Sequence, residues 1–101
     1  MPQWVVIAHD GTDPAAVDRR MSVREAHLRN VAPMVEKGEL LLGGAILDDA
    51  GKMAGSVAIL DFPDQAAFEQ WLNNDPYVTG KVWQKIEVKP FRTAVMAKKE
   101  L

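Results

Sequence analysis

The sequence predicts an α+β fold in which one antiparallel sheet carries two helices on a single face. Short apolar runs rich in β-branched residues alternate with longer amphipathic segments in the order βαββαβ. Turn clusters of Asp, Gly and Pro separate the segments, so neighbouring strands can pair in antiparallel fashion. With 101 residues the chain has the size of one domain, and we expect residues 1–101 to fold as a single unit.

The first strand and the first helix occupy the opening third of the chain. Residues 3–9 (QWVVIAH) form an apolar run that ends at a turn cluster. Asp13 is placed to cap the helix that follows, with Pro14 at its first position. The helix is predicted to extend to about Lys37, where Gly38 provides the stop.

Two features interrupt the pattern of this helix. Ser22 and Glu25 have the spacing of a capping box, which would allow the helix to restart near Met21. Pro33 lacks a backbone N–H and is expected to kink or loosen the helix near its end.

The middle of the chain contains a predicted hairpin and a second helix. Residues 39–47 and 53–62 are strands joined by a turn in DDAGK. The helix begins at Pro63 and Asp64 and extends to about Leu72, with its aromatic residues on one face.

The last predicted strand covers residues 85–96. Pro90 cannot donate a ladder hydrogen bond, which places this strand at a sheet edge or a bulge. The complete order of elements is that of a ferredoxin-like βαββαβ sandwich.

The strands are apolar at both odd and even positions, which predicts burial on both faces of the sheet. Because two helices cover only one face, we expect a second copy of the chain to cover the open face and form a homodimer. The alternative is that small residues make this face tolerable in water. These residues are Gly43, Ala45, Ser56 and Ala58.

Cations lie on the apolar stripe of the first helix. With His27 as reference on a helical wheel, Arg20 lies at about 20°, Arg24 at about 60° and Val31 at about 40°. Because burial of an unpaired cation is costly, each side chain needs a partner or an anionic ligand. We therefore expect the three polar groups to line a pocket between helix and sheet. The opposite, solvent-facing side carries Glu25, Arg29 and Glu36.

Each of these polar residues also has a structural alternative. An arginine on the stripe could form an ion pair while its stem packs, and the candidate partners are Asp10, Asp61 and Asp75. Asp75 precedes Pro76 and could cap a turn or short helix, which the local pattern favours over catalysis. Tyr77 could be a packed aromatic residue with a bonded hydroxyl.

Composition argues against several classes of function. The net charge of -2 and the pI near 5.6 argue against nucleic-acid binding. The chain has no cysteine, its two histidines are too few and too far apart to suggest a metal site, and no cofactor-binding motif is found. No signal peptide or membrane span is indicated, so we expect a cytoplasmic protein, with Lys98 and Lys99 in a solvated tail.

Several motifs, taken in order, resemble the YciI-like (YCII-related) family over nearly the whole chain: RRMSVREAHL, LLLGGAILDDAG, GSVAIL, NNDPYV and VKPF. The resemblance implies a dimeric α+β barrel of ferredoxin-like subunits with a histidine and an aspartate in the active site. By matching motif these are His27 and Asp75. The chain departs from the family pattern at Ala45, where many relatives have proline, and at Pro33. The residues expected to contact a substrate are Arg20, Ser22, Arg24 and Tyr77.

A histidine oriented by a carboxylate is suited to general-base chemistry. We expect a cofactor-independent lyase or isomerase that abstracts a proton from a small anionic or phenolic molecule. The alternative is a non-catalytic binding or sensor module that uses the same pocket. An RNA-binding domain of this strand order would require aromatic residues on the central strands, and GSVAIL has none.

Overall fold

The computed structural model describes residues 2–97 and shows a four-stranded antiparallel sheet with helices on one face. The strand order is β2-β3-β1-β4, so β2 and β4 are the edge strands. This is the predicted ferredoxin-like arrangement. The elements are β1, Gln3–Asp10; α1, Ala16–Glu36; β2, Leu40–Leu47; β3, Met53–Asp61; α2, Gln65–Asn74; α3, Pro76–Thr79; and β4, Trp83–Phe91.

Helix α1 begins later than predicted. Ala15 occupies the cap position and Ala16 is the first helical residue. The carboxylate of Asp13 does not cap the helix, because it accepts two hydrogen bonds from Arg19, the shorter at 2.7 Å. The backbone carbonyl of Asp13 instead accepts from the N–H of Ala16 at 3.1 Å. A side-chain ion pair therefore replaces the expected cap.

The remainder of α1 is continuous through both predicted interruptions. Ser22 starts no new helix, since its hydroxyl donates to the carbonyl of Arg19 one turn earlier. The helix also continues past Pro33 to Glu36. The helix ends at Glu36 with Lys37 as its C-cap, close to the predicted end, and Gly38 follows with a φ of 75°, the left-handed conformation typical of a helix C-terminus.

The second half of the chain differs from the prediction mainly at its boundaries. Asp64 caps α2 by accepting from the N–H of Ala67 at 2.8 Å. The short helix α3 follows α2 directly, and it was not predicted as a separate element. Strand β4 begins at Trp83 and ends at Phe91, earlier than predicted at both ends, and Pro90 lies on this edge strand as expected.

The core lies between the sheet and the helices. Trp4 on β1 stacks on Phe68 of α2, with ring centroids 4.6 Å apart. Alternate residues of β1 point toward this core, while Val5 and Ile7 point to the open face. Fully buried apolar side chains include Val6 and Leu60. Burial of this apolar surface is the main stabilising contribution to the fold.

The four small residues named above lie on the helix face of the sheet, not on the open face. Gly43 pairs with Ala58 and Ala45 pairs with Ser56 across β2 and β3. Directly paired residues of antiparallel strands project to the same side, and Ser56 and Ala58 are buried. The explanation that they make the open face tolerable is therefore wrong. Their small size instead leaves room beneath α1.

No helix within residues 2–97 combines the length and the apolarity that a membrane crossing requires. The prediction that residues 1–101 form one domain stays a prediction, and Lys98 and Lys99 lie outside the described residues.

Candidate functional site

A cavity of about 400 Å³ lies between α1 and the β2–β3 half of the sheet. Its floor includes the small residues Gly43, Ala45, Ser56 and Ala58. Its size falls within the range typical of small-molecule sites. The cations on the stripe of α1 form one end of this cavity, and apolar residues of α1 and β2 form the other.

His27 and Asp75 are in direct contact at the cavity. Nδ1 of His27 lies 2.8 Å from Oδ1 and 3.0 Å from Oδ2 of Asp75. The aspartate is completely buried, whereas the histidine side chain retains 17% exposure. An ionised carboxylate can only accept, so with Asp75 ionised the contact is a hydrogen bond donated by Nδ1, and Nε2 is the ring nitrogen left for a ligand or solvent. Nε2 forms no hydrogen bond with the described residues and is not among their buried unpartnered atoms.

The position of Asp75 follows from the break between two helices. Its ψ of 136° is extended, so α2 ends and α3 begins at this residue. Oδ1 accepts from the N–H of Tyr77 at 2.9 Å, which caps α3, and Pro76 occupies the first helical turn. The structural alternative for Asp75 is therefore correct. The same carboxylate also contacts His27, so capping and orientation of the imidazole occur together.

Arg20 is the centre of a buried polar network. Its guanidinium donates to both carboxylate oxygens of Asp10, at 2.9 and 3.0 Å, and to the hydroxyl of Ser56 at 2.8 Å. The indole N–H of Trp83 donates to the same hydroxyl at 3.1 Å. Both partners of the ion pair are only 3% exposed. The structural alternative, an ion pair with a packed stem, is correct for Arg20.

Tyr77 connects the histidine to this network. The imidazole of His27 stacks on its ring with centroids 4.0 Å apart, and the guanidinium of Arg20 lies 4.7 Å from the ring centroid. Burial raises the pKa of the Tyr77 hydroxyl, and the positive charges of Arg20 and Arg24 oppose that rise. The hydroxyl is therefore neutral at physiological pH and able to donate a hydrogen bond.

Arg24 differs from its neighbours because it has no anionic partner. It lines the cavity one turn from Arg20, is partly buried, and forms no ion pair within residues 2–97. Of the candidate carboxylates, Asp10 and Asp75 are occupied as described. Asp61 accepts from the side-chain amide of Gln3. Arg24 is thus a cation available to a ligand.

Ser22 is the predicted site residue that does not lie with the other predicted site residues at the cavity. It is exposed, it does not line the cavity, and its hydroxyl donates to the carbonyl of Arg19. The opposite face of α1 is solvated as predicted, with Arg29 and Glu25 in an exposed ion pair of 2.9 Å. The prediction that Ser22 contacts a substrate is therefore wrong for this cavity.

Two functional neighbours were not predicted from the sequence. Ser56 is a hydroxyl within an apolar strand, which was a usable signal, because such a group needs a partner when buried. The last strand was predicted to begin at residue 85, after Trp83, so the indole was not expected on the sheet. In the structure β4 begins at Trp83. Together they fix one side of Arg20.

Some polar atoms of the cavity walls have no partner. Among the cavity-lining side chains, the buried atoms without a hydrogen bond to a described residue are Nε of Arg20 and Nε1 of Trp71. Both are donors, which favours a ligand that brings acceptors. Residues 2–97 contain no cluster of three or more side chains suited to bind a metal ion.

Comparison with known proteins identifies the family. The YCII-related domain model matches residues 3–92. The chain belongs to the YciI-like, YCII-related family. The protein YciI of Escherichia coli O6:H1 is 34% identical over 95 residues, which covers 88% of this chain and 95% of that protein. An uncharacterized protein of Haemophilus influenzae has the same identity and coverage. These matches confirm the family inferred from the motifs.

Solved structures confirm the fold. The 5-chloro-2-hydroxyhydroquinone dehydrochlorinase of Burkholderia phenoliruptrix AC1100, in complex with 2,5-dihydroxybenzoquinone, has a TM-score of 0.77 at 21% identity, covering 91% of this chain and 95% of that chain. A dimeric ferredoxin-like protein of unknown function from Jannaschia sp. CCS1 has a TM-score of 0.54 at 15% identity, covering 92% of this chain and 100% of that chain.

Proposed function

We propose that this protein is a cofactor-independent acid–base enzyme, of the lyase or isomerase type, that acts on a small anionic or phenolic molecule. The observation that carries the proposal is the contact between Nδ1 of His27 and the fully buried carboxylate of Asp75. This contact fixes the neutral imidazole with its free nitrogen, Nε2, as the base. The negative charge of Asp75 stabilises the imidazolium that forms when Nε2 takes a proton.

The proposed step begins with proton transfer from a substrate O–H, or from a C–H beside a carbonyl, to Nε2 of His27. The electron pair of the broken bond moves into the ring or the enolate. In an elimination from the C–H site, this pair expels an anionic leaving group from the adjacent carbon, and His27 releases its proton to solvent. In an elimination from a chlorinated hydroquinone, the ring carbon that bears chlorine first takes up the proton from His27. Loss of a second O–H proton to Nε2 then expels chloride and forms the quinone. In an isomerisation His27 returns the proton to a different atom. Arg24 and the hydroxyl of Tyr77 stabilise the negative charge that develops.

The buried network gives Arg20 a positioning role in this proposal. Its guanidinium donates to Asp10 and Ser56, and its contact with Tyr77 fixes the ring on which His27 stacks. Arg24 remains free to bind the substrate anion. Of the two arginines, Arg20 thus has a structural role and Arg24 binds the ligand.

The test uses chlorinated hydroquinones, including 5-chloro-2-hydroxyhydroquinone, because the dehydrochlorinase named above supports this class as a first choice. Chloride release and quinone absorbance report elimination. We expect His27→Ala and Asp75→Asn to lower kcat/KM by about a hundredfold or more, the usual contribution of general acid–base catalysis. Asp64→Asn is the matched control, because Asp64 caps α2 without contacting a histidine.

Unchanged turnover in folded His27→Ala would contradict the proposed base. The alternative function, a non-catalytic binding or sensor module, is favoured by the free cation of Arg24. It predicts ligand that is retained without chemical change and lost in Arg24→Ala.

We also propose that the open face of the sheet is the interface of a homodimer. Val5 pairs with Ile59 and Ile7 pairs with Val57 at its centre, so four β-branched side chains form one apolar patch. The dimeric relative from Jannaschia sp. CCS1 supports this arrangement. Such a patch is expected to be covered in a stable protein.

The oligomeric state tests the interface directly. We expect Ile7→Glu to convert a dimer to a monomer in sedimentation velocity, whereas Val17→Glu, an exposed residue of α1, leaves the dimer intact. A monomeric wild type at micromolar concentration would overturn the proposal. The cytoplasmic location and the absence of cofactor, metal and nucleic-acid partners stay predictions.

A further inference from the structure

Beyond its polar end, the cavity continues as an apolar groove between α1 and β2. Residues of α1 follow Arg24 along this groove at the spacing of one helix face. From His27 to Val35 the helix rises by about 12 Å, at roughly 1.5 Å per residue. The groove is therefore longer than a single aromatic ring. We define the apolar groove by Leu28, Val31 and Val35 of α1 and Leu40 of β2.

Two residues of α1 in the apolar groove leave much of their apolar surface exposed. Leu28 and Val35 are 44% and 54% exposed. Both line the cavity. A molecule lying between α1 and β2 would remove this apolar surface from water, and burial of each methylene group contributes favourably to binding.

The polar end complements a negative charge. Arg24 has no ion pair within the part of the chain that the structure describes, and the buried unpartnered atoms of the cavity wall are donors. An anionic head at Arg24 would pair this cation. An apolar molecule that filled the whole cavity would leave Arg24 partly buried and unpaired, at a cost in affinity.

We propose that the substrate is amphiphilic, with an anionic or phenolic head at Arg24 and His27 and an apolar alkyl or aryl tail in the apolar groove. This inference deepens the proposed function and rests on it for the position of the head. Leu28 and Val35 determine specificity for the tail. The chain thus distinguishes substrates by the substituent on the reacting ring or acid.

A series of 4-alkylbenzoates tests the inference without requiring turnover. The probes are benzoate and its 4-ethyl, 4-butyl and 4-hexyl derivatives, and binding is followed by the fluorescence of Trp71 and Trp83 in the cavity wall. We expect each added methylene to lower Kd about threefold while the tail lies in the apolar groove. A Kd independent of tail length would overturn the inference.

Variants separate the head from the tail. Arg24→Leu should raise Kd about tenfold or more for every member of the series and leave the gain per methylene unchanged. Leu28→Ser combined with Val35→Ser should reduce the gain per methylene and leave the Kd of benzoate unchanged. Met21→Ser is the matched control, because Met21 is a similarly exposed residue of α1 outside the cavity.

The outcomes distinguish this inference from the proposed function. A gain per methylene that survives Leu28→Ser with Val35→Ser places the tail elsewhere and overturns the inference, even if dehydrochlorination is observed. A gain that these changes abolish supports the inference, even if no reaction is found. Sedimentation velocity of the double variant provides a check, because loss of a dimer would assign Leu28 and Val35 to an interface and overturn their role in specificity.

Discussion

Replacement of Asp75 by alanine should destabilise the protein more than replacement of any other helix-capping aspartate. The change removes the cap of α3, which costs about 1 kcal/mol in typical proteins. It also leaves the Nδ1–H of His27 without its acceptor, and a buried unsatisfied donor costs about 1–3 kcal/mol. We expect a total loss of about 3 kcal/mol in the free energy of unfolding.

Urea unfolding of the wild type, Asp75→Ala and Asp64→Ala measures this difference. Asp64 caps the exposed start of α2, so its replacement should cost only about 1 kcal/mol. Asp75→Asn retains an acceptor for the N–H of Tyr77, so its loss in the free energy of unfolding should lie between those of Asp75→Ala and Asp64→Ala. A loss in Asp75→Ala equal to that in Asp64→Ala would refute the argument, since the contact with His27 would then contribute nothing to stability.

Three further predictions follow from the buried groups and the backbone. Tyr77 is the single tyrosine of the chain, so absorbance at 295 nm should show its ionisation above the pKa of about 10 found in the unfolded chain. Because the folded state retains this proton longer, the free energy of unfolding should decrease as the pH rises above about 10. Arg20→Leu should cost about 3–5 kcal/mol in urea unfolding by leaving Asp10 buried and unpaired, whereas the exposed Arg29→Ala should cost under about 0.5 kcal/mol. Gly38→Ala should lower the thermal midpoint by several degrees through strain at a φ of 75°, and an unchanged midpoint would contradict this.

The sequence predicted the elements and the polar stripe because both depend on periodicity. Arg20, Arg24 and His27 share one helix face whatever packs against it, so their convergence on a cavity followed from spacing alone. The start of α1 was misplaced because Asp13 had two competing partners, the helix N-terminus and Arg19. Local sequence does not determine which of these interactions is stronger.

The faces of β2 and β3 could not be assigned from the sequence for a different reason. Both strands are apolar at successive positions, so no alternation distinguishes one face from the other. The register pairs Ala45 with Ser56, and the hydroxyl of Ser56 accepts a hydrogen bond from Arg20 of α1. Only these contacts show that the small residues lie under α1. The cavity therefore depends on a pairing that single-strand patterns do not contain.

The two interpretations of Asp75 were treated as alternatives, and the structure shows both contacts on one carboxylate. Oδ1 accepts from the N–H of Tyr77 and also lies 2.8 Å from Nδ1 of His27, while Oδ2 lies 3.0 Å from the same nitrogen. The contact to His27 depends on the angle between α1 and α3, which tertiary packing sets. The position of Asp75 before Pro76 predicted the cap, whereas the pairing of Asp75 with His27 was expected only from the family resemblance.

The measurement that tests the central claim most directly is the tautomer of His27, read from two-bond ¹⁵N–¹H correlations at a pH where the imidazole is neutral. The exposed His9 provides an internal reference in the same spectrum. The account predicts a proton on Nδ1 of His27 in the wild type and loss of this preference in Asp75→Ala. A proton on Nε2 in the wild type would leave no lone pair facing the cavity, and would contradict the assignment of His27 as the base.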